Sequence, residues 1–245
     1  MNADAPASRP GYATEFADEY DRWFGKPGIS GATVEALAAL AGQGPVLELG
    51  IGTGRVALPL RELGIDVHGV DRSEAMVRQL RAKAGGAGVP VTIGDFAEVP
   101  VAETFSLVFL AGGTFAELPD QADQVRCFAN AAARLGPGGL FVLDAHVPEA
   151  LAAATGPDIV AEGDDHLVLC YRQLDPSTQR YRSHYVIHED GRTRHLRVEF
   201  RYASHGELDL MAAQAGLRLK ERWSSWTGSP FTRDSSYHVS VYERR

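Results

Sequence analysis

Apolar positions along this chain come in short continuous runs as far as residue 148 and in alternating runs beyond it, so the period of the pattern divides the sequence. Val46 to Leu49, Val67 to Val70, Val89 to Gly94, Phe105 to Leu110 and Leu140 to Leu143 are strand-length runs bounded by Gly, Pro or Asp. Helical spacing fills the gaps between them. Ser30 to Ala41 places Val34, Leu37 and Leu40 on one face, and Arg55 to Leu63 is interrupted by Pro59, which predicts a kink or a late start. Ser73 caps a helix carrying Met76, Val77 and Leu80. Asp120 caps another, with Val125, Phe128, Ala132 and Leu135 inward and Gly136-Pro137-Gly138-Gly139 as its stop. Runs that are apolar throughout belong to strands covered on both faces, so five strand–helix repeats predict a parallel sheet.

Before the first strand, Tyr12, Phe16, Tyr20 and Phe24 recur every four residues beside Trp23, which predicts a short helix with an aromatic face. After residue 148, Leu167 to Leu174, Arg180 to His188 and His195 to Tyr202 are β-rich and separated by Asp175-Pro176-Ser177 and Glu189-Asp190-Gly191, the signature of an antiparallel meander. In the last of these segments His195, Arg197, Glu199 and Arg201 form a charged row opposite an apolar one, read as a solvated face. Ser204-x-x-Glu207 predicts a capping box opening a helix that ends at Gly216, and strands follow around Leu219 to Trp226 and Tyr237 to Glu243. The Thr227 to Ser235 loop between them lies where a pocket rim is expected.

The chemistry is concentrated after the first strand. Gly50-Ile51-Gly52-Thr53-Gly54 leads straight into a helix, so backbone N–H groups and the positive helix end are available to a polar or anionic ligand. A dinucleotide fold requires G-x-G-x-x-G, whereas the position three after Gly52 is Arg55. With Glu48 on the strand ahead of it, this G-x-G-x-G resembles the first motif of the class I S-adenosylmethionine-dependent methyltransferases. Leu-Gly-Pro-Gly-Gly at 135–139 strengthens the resemblance, which covers residues 46 to 148.

That resemblance implies a doubly wound α/β fold, a mostly parallel seven-stranded sheet ending in an antiparallel hairpin, with a small β insertion after the fifth strand. The expected organisation is 1–148 for the lid helices and the donor-binding half, 149–205 for the insertion over the acceptor, and 206–245 for the helix and strands that complete the sheet. It implies S-adenosylmethionine as cofactor and methyl transfer to an O, N or C atom of a small-molecule acceptor. Glu48, Gly50, Gly52 and Gly54 are expected around the methionine end of the donor. Asp71, at the end of the second strand and 19 positions after Gly52, is expected with Arg72 at the ribose. Asp95 and Phe96 are expected at the adenine, with Leu110 and Ala111 lining the crevice and Tyr20 closing it. His146, just past the fifth strand, and Tyr20 are the candidate catalytic groups; Glu117 is a further polar candidate. Gly112-Gly113 stands where many relatives carry a polar residue. The alternatives are a nicotinamide-dependent oxidoreductase and a non-catalytic nucleotide-binding protein of the same fold.

Charge and composition narrow the classes further. A formal charge of −8 over 245 residues argues against a nucleic-acid partner. No apolar run reaches the ~18 residues of a membrane span and Met1 to Pro10 contains no apolar core of a signal peptide, so a cytoplasmic protein is expected, as a monomer or homodimer. Cys127 and Cys170 are too few for a disulfide framework and are expected as buried thiols. The histidines are scattered without metal-ligand spacing, so no metal is expected.

Overall fold

The computed structural model describes residues 16–24, 27–153 and 156–244. Two short helices lead in: α1 (Tyr20–Phe24) and α2 (Pro27–Ala41). Then β1 (Val46–Leu49), α3 (Ala57–Glu62), β2 (Val67–Asp71), α4 (Glu74–Ala82), β3 (Val91–Ile93) and β4 (Phe105–Leu110) alternate. They are followed by α5 (Gln121–Ala133), β5 (Leu135–His146) and α6 (Pro148–Ala153). The last part comprises β6 (Asp158–Glu162), β7 (His166–Asp175), β8 (Arg180–Glu189), β9 (Arg192–Arg201), α7 (His205–Gln214), β10 (Leu217–Trp223) and β11 (Tyr237–Arg244).

The main sheet has seven strands in the order β10-β11-β5-β4-β1-β2-β3. Neighbours from β5 to β3 run parallel, and β11 is antiparallel to both β5 and β10. One face is sealed by α5 and α7, whose Cys127, Phe128, Leu208 and Met211 pack on Val108, Phe141 and Tyr242. The other face is sealed by α2 and α3 through Val34, Leu37, Ala57 and Leu60 against Val46, Leu107 and Val142. This double cover is why the central strands are apolar at every position rather than at alternate ones. Crossing from β4 back to β1 leaves a crevice at the carboxyl ends of those strands, where open α/β sheets bind ligands.

The insertion is a separate antiparallel sheet in the order β6-β7-β8-β9, one strand more than the sequence pattern predicts. Asp158–Glu162 is short, and Asp158, Ile159 and Glu162 are exposed, which hides the alternation that marks a strand. The N-terminal segment packs on this sheet: Phe16 and Trp23 join Val168, Ile187 and Leu196 in a small third core, and the Arg194 guanidinium lies 5.1 Å from the Trp23 ring centroid.

Several boundaries differ from the sequence expectation for local reasons. The α1 helix is only five residues, and Tyr12 lies outside the described residues. Pro59 gives α3 its late start. Asp120 makes no side-chain cap; its carboxylate instead accepts from Arg180 of the insertion at 2.7 Å. Leu135 is the first residue of β5 rather than the last of α5, paired beside Phe105, so the Gly-Pro-Gly-Gly segment lies within the strand. Ser204 caps α7 by accepting from the Glu207 N–H at 3.2 Å, but the Glu207 carboxylate does not return to complete a box. It accepts from Arg201 at 2.7 Å and Gln179 at 2.9 Å. Arg201 is accordingly buried, 5% exposed, because β9 ends beneath α5 and α7, and the predicted solvated row stops at Glu199.

Candidate active site

The β1 end and the turn after it are held from two sides. Gly50 and Ile51 donate to the Val70 carbonyl at 2.8 and 3.1 Å, and the Asp71 carboxylate accepts from Gly52 N–H at 2.7 Å and Ser73 N–H at 2.8 Å. Gly50, Gly52 and Gly54 have φ of +76°, +54° and +77°, which explains the alternate-glycine spacing. A side chain at Gly52 would project into open space, with nothing nearer than the Gly50 carbonyl at 4.0 Å. That space is a chamber of about 470 Å³ lined by Gly50, Gly52, Asp71, Arg72, Met76, Phe96, Tyr20, Thr114 and Glu117.

Glu48 lies behind this chamber rather than in its wall. It is buried, 4% exposed, with Oε2 unpartnered, and burial pushes its carboxyl up to about 8 while the Arg55 charge and the Ala57 N–H draw it down. Its hydrogen-bond partner is the Ala57 N–H at the start of α3. Burial likewise raises the Asp71 carboxyl, against the hydrogen bonds from Ser73 and Gly52.

A second chamber of about 610 Å³ opens beside the first, and Tyr20 and Glu117 line both. Its floor is Gly112, Gly113 and His146 at the carboxyl ends of β4 and β5, and its roof is the inner face of the insertion with Arg172, Tyr181, Ser183, Tyr185 and Phe200. Tyr181 and Phe200 stack at 4.9 Å between ring centroids. Gly113, His146 and Tyr181 also border a third, apolar recess of about 360 Å³ reaching Leu151, Ala203 and Leu208. Confinement lowers the His146 imidazole below the usual histidine range, and the Arg172 charge acts in the same direction.

The floor is fixed by Asp144, which sequence reading did not single out. This buried carboxylate accepts from the backbone N–H groups of Gly112 at 2.9 Å and Gly113 at 2.7 Å, from Trp226 Nε1 at 3.0 Å and from the Tyr237 hydroxyl. An acid inside an otherwise apolar strand, one residue before the small Ala145, was the available signal. Glycines at 112 and 113 let two consecutive amides turn toward that carboxylate; their φ values are +82° and +75°.

Of the expected donor-side residues, Tyr20, Gly50, Gly52, Asp71, Arg72 and Phe96 converge on the first chamber. Gly54 lies beneath, against Leu80 and Leu58. Asp95 is exposed and accepts from the Ala97 N–H at 2.8 Å. Leu110 is fully buried in the core, and Ala111 borders a different hollow with Arg55, Trp226 and Tyr237. The Thr227 to Ser235 loop borders none of these chambers; Trp226, just before it, does. Among the described residues no group of three His, Cys, Asp or Glu side chains could hold a metal ion, and both cysteines are buried.

Comparison with known proteins gives this arrangement a family. A methyltransferase-domain model matches residues 46–139, the stretch from β1 into β5. The solved CcbJ methyltransferase from Streptomyces caelestis is 39% identical, with 95% of this chain and 97% of that one aligned at a TM-score of 0.86. The chain is a class I S-adenosylmethionine-dependent methyltransferase. The cypemycin N-terminal methyltransferase of a Streptomyces species is 29% identical over 203 residues, covering 82% of this chain and 83% of the relative. CalS10 from Micromonospora echinaspora, an amino pentose methyltransferase solved with S-adenosylmethionine bound, shares the fold at a TM-score of 0.72 and 20% identity over 93% of this chain and 96% of that one. Membership in this family replaces both the oxidoreductase and the non-catalytic alternative. The methyltransferase's open space over Gly52 and the apolar Met76 and Phe96 walls fit the donor, which presents a charged methionine end and a flat base. No helix among the described residues is long and apolar enough to cross a membrane.

Proposed function

We propose that this methyltransferase acts on an amine nitrogen of a small-molecule acceptor, held in the chamber between the β4–β5 floor and the insertion. The observation that carries the reading is the shared wall: Tyr20 and Glu117 border both chambers, so an acceptor group at that junction faces the donor side. Nitrogen is favoured over oxygen by the relatives, among them an N-terminal methyltransferase, the sugar N-methyltransferase KedS8 and the glycopeptide N-methyltransferase MtfA. A carboxylate at the junction and an imidazole kept neutral beside it suit an amine that arrives as ammonium and must lose a proton before it can attack.

In this reading the turn amides and Asp71, with Arg72, hold the ribose and methionine portions, and Phe96 and Met76 pack the base, whose amino edge meets Asp95. Tyr20 of α1 orients the reacting groups and excludes water. His146 accepts the acceptor's proton, and Glu117 attracts the ammonium. S-adenosylmethionine supplies a methyl on a sulfonium leaving group, so proton removal and alignment are what remain for the protein to do. We assign residues 149–205 to acceptor recognition and the acidic chain as a whole to a partner other than nucleic acid. Incubation with methyl-labelled S-adenosylmethionine and a panel of primary and secondary amines, alcohols and phenols tests the reading: label on nitrogen is expected, and label confined to oxygen or carbon overturns it.

A further inference from the structure

Among the described residues lining the acceptor chamber, Glu117 and Arg172 supply side chains of opposite charge. Glu117 belongs to the wall shared with the donor chamber, whereas Arg172 belongs to the acceptor chamber alone. Tyr181 lines the same chamber, its phenol pushed up by burial, with Arg172 drawing it down and Glu117 adding to the rise. Arg172 enters from β7, on the face that β7 and β8 turn toward the site; it is opposite Ser183, which is buried, and diagonal to Tyr181 and Tyr185. Its side chain is 24% exposed.

The partner of Arg172 does not account for this position. Nη1 donates to the Asp158 carboxylate on β6, the short outer strand, and that carboxylate is 60% exposed. With the Asp158 end of the pair in solvent, the interaction is screened and contributes modestly to stability. A guanidinium offers five N–H donors in a planar fork, and one of them meets Asp158. The remaining donors share the chamber lining with Tyr181 and with Ser183 and Tyr185, which hydrogen-bond to each other, and a planar fork of this kind suits a carboxylate or phosphate oxygen pair.

We infer that Arg172 is an anion anchor, and that the acceptor is a small zwitterion whose amine lies at the Glu117 end of the chamber while its carboxylate or phosphate is held at the Arg172 end. The inference rests on the amine reading above and adds the acceptor's second charged group. It also divides the labour of the site: Glu117 and His146 handle the nitrogen and its proton, and the insertion selects by charge at a distance from the reacting atom. A neutral or purely cationic amine would leave the guanidinium to its exposed partner and lose the contribution of the anchor.

The test compares matched pairs by calorimetry on the full chain saturated with S-adenosylhomocysteine: alanine against alaninamide for the carboxylate source, and glucosamine 6-phosphate against glucosamine for the phosphate source. At least one anionic member is expected to bind about tenfold or more tightly than its neutral counterpart. Arg172→Gln should erase that ratio and Arg172→Lys should restore part of it. Equal affinities within both pairs in the wild-type protein overturn the anchor, as does a preference that survives Arg172→Gln. A loss of S-adenosylhomocysteine affinity in Arg172→Gln would move Arg172 to the donor and overturn it as well. An Arg172-dependent preference together with methyl label on oxygen would keep the anchor and remove the amine reading, so the two failures are distinguishable.

Discussion

The Asp71 carboxylate receives the Gly52 N–H at 2.7 Å, joining the end of the second strand to the centre of the glycine turn. Its other oxygen receives Ser73 N–H, so one side chain sets both the turn and the start of the next helix. Asp71→Ala should cost about 1 to 3 kcal/mol of stability by leaving these donors without a partner. Through loss of the ribose contact it should also weaken S-adenosylhomocysteine by roughly ten- to a hundredfold. Urea unfolding and calorimetry read the two effects separately. Unchanged affinity would remove Asp71 from the donor site.

Glu48 predicts a pH dependence of stability. Its carboxyl titrates from 4.5 in the unfolded reference to about 8 in the fold, so the native state holds the proton more tightly. The stability this provides is complete below 4.5 and is lost as pH rises through about 8. Glu48→Gln keeps the shape without the titration. Relative to wild type it should gain on the order of a few kcal/mol between pH 5 and pH 9. Urea midpoints for the two proteins that stay parallel across that range would contradict the assignment.

His146 is held neutral by burial and by Arg172, which leaves it able to take a proton near neutral pH. His146→Phe retains the ring that packs on Tyr237 at 5.6 Å and removes the base. With an amine acceptor kcat is expected to fall about a hundredfold at neutral pH, the deficit shrinking as pH rises toward the amine's own pKa. Turnover within a few fold of wild type at every pH would leave alignment as the whole of catalysis.

Helix α1 is tied to the core by the Asp21 carboxylate, which accepts from Thr53 Oγ1 at 2.6 Å and pairs with Lys83. Arg22 meanwhile pairs with Asp165 of the insertion at 2.6 Å. Five residues do not hold a helix alone, so these contacts and the Tyr20 wall determine its order. Hydrogen exchange over residues 20–24 should slow when S-adenosylhomocysteine binds. Identical exchange in both states would mean that α1 only packs.

The parts legible in the sequence were those that depend on local period and spacing. The continuous runs gave the parallel strands, and alternate glycines gave the turn at Gly50, Gly52 and Gly54. Long-range partners were not legible. Glu48 reads as a donor ligand until its burial is seen, Arg201 reads as a solvated charge until α5 and α7 cover it, and Asp120 reads as a cap until Arg180 takes its carboxylate. Arg201 and Asp120 meet partners far away in the chain, and Glu48 is set by its burial. Arg172 was invisible for the same reason, since only the pairing of β7 with β8 surrounds it with Ser183 and the two tyrosines.

The Asp144 contacts bear on the order in which the protein becomes competent. Its four donors come from Gly112, Gly113, Trp226 and Tyr237, and β11 lies between β5 and β10 in the sheet. The donor turn is complete once β2 is in place, but the acceptor floor waits for Trp226 and for β11, which inserts between β5 and β10. A chain stopped after Ser224 would leave the Asp144 carboxylate with only the Gly112 and Gly113 amides and without Trp226 and Tyr237, and should retain neither acceptor turnover nor a cooperative unfolding transition by calorimetry.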